Sequence, residues 1–250
     1  MSNTPLSVPM NRERHEFQRI ISRVEDISAS LNRTGGRPLI EHKFINSIVK
    51  ITNNNTNYDF RVSSHQQANE FSAIETKIND NDGLAVTQLA LRLLRLERNP
   101  ATQEIMPGSC KRFTWANPNV AAFDVNATAL QAFYNGKLNI KLGTTVFTED
   151  LLTYIFEYVP QTQTGINGAT RDKYDALKDG MFERTPQLWL VGDNTTSISL
   201  TIPNQANTVP FVNADPNVIY AVELQLHGWI IKNFADAIKA VSQKIDAYRY

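Results

Sequence analysis

The sequence predicts a mainly β protein, an antiparallel β-sandwich with an amphipathic helix at each end. From about residue 100 onwards, short β-like segments alternate with turn signals at roughly 8–12-residue spacing, which is typical of sandwiches and barrels. Apolar residues recur at helical spacing near both ends of the chain. A length of 250 residues suffices for one large domain with extensions. We therefore divide the chain into an arm and helix (1–36), a sandwich body (37–232) and a C-terminal helix (233–250).

The first predicted helix follows a polar arm formed by residues 1–10. Residues 11–32 place apolar side chains on one helical face and interleave Arg with Glu and Asp on the others. That apolar face consists of Phe17, Ile20, Ile21, Val24, Ile27 and Leu31. Gly35, Gly36 and Pro38 then favour an end to the helix, because glycine suits the C-terminal cap and proline cannot continue it.

The region between residues 39 and 98 is less regular. Residues 39–51 fit either a short helix or an extended segment, whereas 58–62 and 71–78 alternate as strands do. The Asn- and Asp-rich stretch 79–83 predicts a turn. Residues 84–98 stay open at this point, because their leucine spacing slightly favours a helix while their position between turns also suits a strand.

The rest of the body is predicted as strands separated by turns. A short helix is expected at 128–134, and a long polar loop at 161–182. Asn135-Gly136 is a hairpin-type dipeptide, and Gly143 separates two strands. The predicted strands are 137–142, 144–148, 152–159, 187–191, 197–202 and 218–232.

The C-terminal segment returns to helical spacing. Its apolar residues, from Phe234 to Tyr248, form two heptads of the kind that pack against another surface. The favoured interpretation is a helix packed on its own domain; the alternative is a helix that docks on a neighbouring subunit. The candidate subunit-contact residues are Phe17, Ile20, Ile21, Val24, Phe234, Ile238, Val241 and Ile245.

The charge balance argues against a dedicated nucleic-acid-binding protein. Lys and Arg together number 25, as do Asp and Glu, so the formal net charge is zero. The strongest basic stretch is a candidate for contact with a genome or an acidic neighbour, although a solvated face is the default interpretation. Its members are Arg92, Arg95, Arg98, Lys111 and Arg112.

No motif in the sequence points to catalysis. The four histidines lack the spacing of metal ligands, and Cys110 is the single cysteine, beside two cations but without a nucleophile signature. The Asp80–Gly83 stretch fails as a calcium loop, because Ile78 and Leu89 fall where oxygen ligands are required. We therefore predict no enzyme activity, metal, cofactor or small-molecule substrate. Without a signal peptide or a transmembrane segment, we expect folding in a reducing cytoplasm.

Several segments carry a resemblance to a known group of proteins. Within about residues 84–232, the sequence resembles capsid-type structural proteins of Bacteroidetes-infecting bacteriophages, of jelly-roll type. The segments that carry the resemblance are Phe113-Thr114-Trp115-Ala116-Asn117-Pro118, residues 130–140, residues 158–163, Thr185-Pro186 and Gly228-Trp229.

The resemblance implies a strand at 84–98, which we adopt, and a structural role. A single jelly roll is expected, because a double one needs about sixteen strands and the sequence offers eight to ten. The implied function is a virion capsid protein that self-assembles with other copies and other virion proteins. A weak genome or internal-membrane contact stays open. The alternatives are a receptor- or carbohydrate-binding sandwich of a virion or cell surface, and an enzyme with two convergent carboxylates or a bound metal.

Overall fold

The computed structural model describes residues 7–31, 38–52, 55–64, 69–113, 115, 127–156, 181–193, 195–203 and 215–247. The α-helices within these residues are α1 (Ser7–Ser30), α2 (Ala127–Tyr134) and α3 (Ala235–Ala247). The strands are β1 (Ile40–Lys50), β2 (Asn57–Phe60), β3 (Gly83–Glu97), β4 (Lys111–Phe113), β5 (Lys137–Leu142), β6 (Thr145–Leu152), β7 (Phe182–Val191), β8 (Thr196–Thr201) and β9 (Val218–Ile231). None of the described helices combines the length and the apolar character needed to cross a membrane.

The strands form two antiparallel sheets. The first sheet has the order β1-β9-β3-β4, and β7 also pairs with β3. One side of β3 is fully paired with β9; on the other side β7 pairs with its first half and β4 with Leu93–Arg95. The second sheet has the order β2-β8-β5-β6. This arrangement confirms the predicted mainly β, antiparallel fold.

The main core lies between the two sheets. Because successive side chains of a strand point to opposite faces, every second residue of the paired strands enters this layer. Burying each such side chain contributes roughly 1.5–3 kcal/mol. Among its members, all at most 2% exposed, are Leu89, Leu91, Leu93, Leu138, Ile140, Ile198 and Leu200.

One end of the outer face of the first sheet is covered by α1 and α3. Their apolar side chains pack there in a second cluster with Ala85, Val191 and Ile231. The helical members of this cluster include Ile20, Val24, Ile27, Phe234 and Ile238.

The packing of the terminal helices corrects part of the subunit-contact prediction. Ile20, Val24, Phe234 and Ile238 are at most 2% exposed, so they belong to the core of their own chain and leave no surface for a neighbouring subunit. Val241 packs against the same cluster, and Phe17 and Ile21 are half-buried. Ile245 lies on α3, and its side chain is outside the described part.

The other end of the same face is covered by loop segments. Phe71 and Ile74 of one loop, with Ile105 and Cys110 of another, pack against the sheet. The sheet residues that they cover are Ile48, Leu94, Leu96, Ile219 and Ala221. Since β3 is thus buried on both faces, its sequence is an almost continuous apolar run rather than an alternating one.

A buried aspartate anchors the start of α3 to the turn before β3. Asp82 is 4% exposed and accepts a hydrogen bond from the backbone N–H of Asn233 at 3.1 Å and one from Lys232 Nζ at 3.0 Å. The N–H of Ala235 donates to the carbonyl of Asn81 at 3.1 Å. The predicted turn at 79–83 therefore exists, and it positions a helix at the edge of the sheet.

Two predicted strands are wrong. Residues 71–78 form a turn followed by isolated bridges at Thr76 and Ile78, because this segment packs across β1 rather than beside a full strand. The predicted strand 152–159 gives way to a 3₁₀ turn at Thr153–Phe156. The hydroxyl of Thr153 donates to the carbonyl of Phe133 at 2.6 Å and thereby ties this turn to the end of α2. Residues 157–159 lie outside the described part.

The remaining element predictions hold with shifted bounds. Residues 84–98 are the strand β3, and the ambiguous segment 39–51 is the strand β1. Gly143 lies in the β5–β6 turn with φ of 58°, a left-handed conformation that favours glycine. Asn135-Gly136 joins α2 to β5 instead of closing a hairpin. Most of the predicted loop 161–182 lies outside the described residues.

Candidate functional site

Between its two covered ends, the outer face of the first sheet carries a row of polar and aromatic side chains. We call this region the central strip; it crosses β1, β9, β3 and β4. Its side chains alternate with core residues along each strand and therefore point away from the core. The members of the central strip are His42, Phe44, Asn46, Gln88, Arg92, Arg112, Glu223, Gln225 and His227.

One half of the central strip is an ion-pair network around Glu223, which has no exposed surface. Arg112 Nε donates to Glu223 Oε2 at 3.0 Å, and Arg112 Nη2 donates to Oε1 at 3.2 Å. Asn46 and Gln225 donate to the same carboxylate at 3.2 and 3.0 Å. The hydrogen bond to Glu223 raises the pKa of Arg112. Both carboxylate oxygens accept more than one hydrogen bond. The negative charge of Glu223 is therefore balanced within the chain, as in a structural ion pair.

The other half of the central strip is aromatic. Phe44 stacks on His227 with ring centroids 4.2 Å apart, and His42 meets His227 edge-on at 4.3 Å. The ring centroid of Trp229 lies 4.8 Å from that of His42 and 4.7 Å from that of Phe17 on α1. Phe44 is 50% exposed, so one face of this ring cluster is open to solvent.

His227 is neutral at physiological pH. Burial, with a smaller contribution from the charge of His42, lowers the pKa of His227 to about 4. Its Nδ1 lies 3.0 Å from Gln88 Oε1. Because an amide oxygen only accepts, Nδ1 carries the single ring N–H and donates it to Gln88. Its Nε2 is buried without a hydrogen-bond partner among the described residues. His227 therefore packs as an uncharged ring.

The strand β1 is the edge of the first sheet, and part of that edge is exposed. The N–H of Ile51 bonds to Tyr220 and the carbonyl of Leu39 to Lys232, so odd-numbered residues of β1 bond towards β9. Even-numbered residues point outwards. Asn46 exchanges two backbone hydrogen bonds with Thr76, and the N–H of Ile48 donates to Glu75.

The first five residues of β1 have no such cover from the described residues. The outward N–H and carbonyl groups of Ile40, His42 and Phe44 have no hydrogen-bond partner in the part of the chain that the structure describes. An edge of this kind is a template for pairing with another strand.

The predicted basic patch is divided between two faces. Arg92 and Arg112 lie in the central strip, whereas Arg95 and Lys111 oppose each other on the other face of the sheet. The arginines are also engaged within the chain: Arg92 donates to Gln225. Arg95 pairs with Glu97, and Arg98 with Glu70. Arg95, Arg98 and Arg112 are thus paired with carboxylates of their own chain, which reduces the net charge of this group of residues.

The described residues bear on the candidates for metal binding and for a reactive thiol. Among the described residues, no three His, Cys, Asp or Glu side chains are close enough to hold a metal ion. Burial raises the pKa of the Cys110 thiol more than Arg112 lowers it, so the neighbouring cations do not activate this cysteine. His65 lies outside the described residues.

A cavity of about 590 Å³ bears on the enzyme alternative, because Glu70 and Glu104 both line it. Glu70 is ion-paired with Arg98 and lies 3.8 Å from Lys50. Two cations therefore lie beside one of the two carboxylates that line this cavity.

Comparison with known proteins gives no relative for this chain: no family model matches it, and no curated protein or solved structure is significantly similar.

Sequence reasoning missed the central strip and the exposed edge. The signal was present as two alternating pairs, His42-x-Phe44 and His227-x-Trp229, which place aromatic rings on one face of a strand. Only the pairing of β1 with β9 brings the two pairs together.

Proposed function

We propose that this chain is a structural virion protein, a bacteriophage capsid protein that self-assembles into a shell as a single jelly roll. The observation that carries the proposal is the order of the strands. Without the short β4, the first sheet has the order β1-β9-β3-β7, and the second has the order β2-β8-β5-β6. Such interleaving of early and late strands supports two Greek keys, the pattern of jelly rolls in viral capsid proteins.

The surface chemistry agrees with a role in contacts between proteins. The net charge is zero, and in the central strip Arg112 is ion-paired with Glu223 while Arg92 donates to Gln225. Identical copies that meet by symmetry do not require a charge excess. The resemblance to phage capsid proteins points the same way. A fold alone does not establish a function, so the proposal rests on these features together.

The second candidate function is a receptor- or carbohydrate-binding module, and one observation favours it. Phe44 is half exposed and stacks on His227 beside His42. An aromatic face flanked by polar groups suits the apolar side of a sugar ring. Jelly rolls also occur among lectins.

Self-assembly is the test that separates the two candidates. The purified protein is studied by light scattering and negative-stain electron microscopy over a range of protein and salt concentrations. Rings, shells or other discrete large particles support the capsid proposal. A protein that stays monomeric at the highest concentration contradicts it, and a glycan-binding screen with a Phe44→Ala control then tests the second candidate.

A further inference from the structure

We propose that two copies of this chain join through the exposed edge of β1. Residues 40–44 of the two copies pair antiparallel about a twofold axis at His42. This inference rests on the proposed self-assembly, of which it names one subunit contact. It commits to a second copy of the chain as the occupant, because the edge is complementary to itself.

The backbone selects which residues can face the partner. In the first half of β1, Ile40, His42 and Phe44 direct their N–H and carbonyl groups away from β9 without meeting another described residue. Beyond them, the segment at Glu75 and Thr76 occupies the edge at Asn46 and Ile48. An added strand is therefore confined to residues 40–44, and its outward residues must oppose outward residues of the partner.

Charge then selects one register. With the axis at His42, Glu41 of each copy opposes Lys43 of the other, so two opposite-charge pairs form. With the axis at residue 41, two glutamates oppose each other; with the axis at residue 43, two lysines do. Glu41 is accessible for this contact: its side chain is 46% exposed, with Lys232 at 3.9 Å in its own chain.

The contact also buries apolar surface that is exposed in one copy. In the same register, Ile40 opposes Phe44 of the second copy, and Phe44 is 50% exposed. The outward residues form three hydrogen-bonded pairs, each exchanging two bonds, or about six in total. A contact of this size is weak alone, which suits a shell whose subunits hold each other through several interfaces.

Charge reversal tests the register without touching the backbone. In Glu41→Lys, and likewise in Lys43→Glu, every available register opposes like charges. We expect each variant alone to dimerise about tenfold more weakly than the unmodified protein in sedimentation equilibrium at low salt. An equimolar mixture of the two variants restores association as a heterodimer, because positions 41 and 43 are then both lysine in one chain and both glutamate in the other. The double variant Glu41→Lys/Lys43→Glu restores the homodimer.

Removing one outward N–H tests the strand pairing itself. His42→Pro deletes a donor for which the described residues provide no acceptor, and proline is tolerated on a strand edge that faces solvent. Circular dichroism and thermal unfolding check that the fold persists. We expect association to be lost while the monomer stays folded. If His42→Pro does not fold, the charge-reversed mixture still decides the question.

The outcomes separate this contact from the wider proposal. Restored association in the mixture supports the β1 contact. If the unmodified protein assembles and all charge variants assemble equally well, the β1 contact is wrong and the capsid proposal stands. If the unmodified protein stays monomeric at every concentration, both are wrong.

Discussion

The guanidinium of Arg112 on β4 lies 3.0 Å from the carboxylate of Glu223 on β9, a side chain without exposed surface. We expect Arg112→Met to lower the free energy of unfolding by about 2 kcal/mol, because a buried carboxylate loses its charged donor while Asn46 and Gln225 still donate. Urea denaturation measures the change. The control is Arg19→Met, at an exposed position of α1. If Arg112→Met and Arg19→Met lower the free energy of unfolding equally, the ion pair does not stabilise the fold.

The neutral ring of His227 makes stability depend on pH. The pKa of His227 is about 4 in the folded chain and near 6.5 when unfolded, so the unfolded chain binds more protons between those values. The free energy of unfolding therefore falls as the pH is lowered from 6.5 towards 4, whereas this histidine contributes no slope above 6.5. Because the ring is partly exposed, we expect a slope below the ~1.4 kcal/mol per pH unit of one fully shielded proton.

Urea midpoints at pH 7.5, 6 and 5 test this dependence. The variant His227→Gln lacks the titrating group, so its midpoint changes less over the same range. An identical pH profile for the two proteins shows that the slope comes from other groups.

Gly228 of β9 lies against the backbone of β3 at a bulge. The register of β3 shifts between Val86 and Gln88, and a methyl group on Gly228 overlaps the carbonyl of Ala85. We expect Gly228→Ala to destabilise the fold by about 3 kcal/mol, since backbone cannot yield as a flexible side chain does. Gly108→Ala is the matched control, because nothing lies within 4 Å of its added methyl group, and thermal unfolding compares the two. Similar melting temperatures argue against a close approach at Gly228.

The terminal helices are expected to act through the core of a single chain. Ile238→Ala removes a side chain that is 2% exposed, at a cost of about 3 kcal/mol. Arg23→Ala, on the exposed side of α1, changes stability by less than about 0.5 kcal/mol. Urea unfolding at two protein concentrations is the measurement. If the loss of stability in Ile238→Ala depends on protein concentration, the helix packs on another subunit instead.

Cys110 is expected to react slowly. Burial raises the pKa of its thiol, so little thiolate exists at pH 7. We expect alkylation by iodoacetamide in the native protein to be at least about tenfold slower than in the urea-unfolded chain. Rates followed by mass spectrometry test this. Comparable rates contradict the shielding of Cys110.

The overall fold was largely predictable because most strands carry their own signal. Alternation identified β5 and β8, since each has one face in the core. It also identified β9, which is buried on both faces but carries Glu223, Gln225 and His227 on its outer face. Spacing alone left β3 open because this strand is covered on both sides: Leu91 enters the main core, and Leu94 packs under the loops. An apolar run of this kind does not distinguish a doubly buried strand from a helix.

The candidate site was less predictable because it depends on partners far apart in the chain. Glu223 reads as an ordinary exposed position of an alternating strand, yet Arg112 and Asn46 reach it from other strands and allow it to be buried. The exposed edge depends on which strands neighbour β1, and no local pattern contains that information. The subunit-contact prediction had the same limit, because an apolar helix face does not reveal what covers it.

The position of β9 determines when the first sheet can form during synthesis. β9 lies between β1 and β3, yet its residues leave the ribosome after those of every other described strand. Until then β1 has no neighbour on which to form its ladder, and the apolar faces of β3 await their partner. We therefore expect a nascent chain that ends before residue 218 to depend on chaperones, and completion of the first sheet to be a late event with a rate limited by long-range pairing.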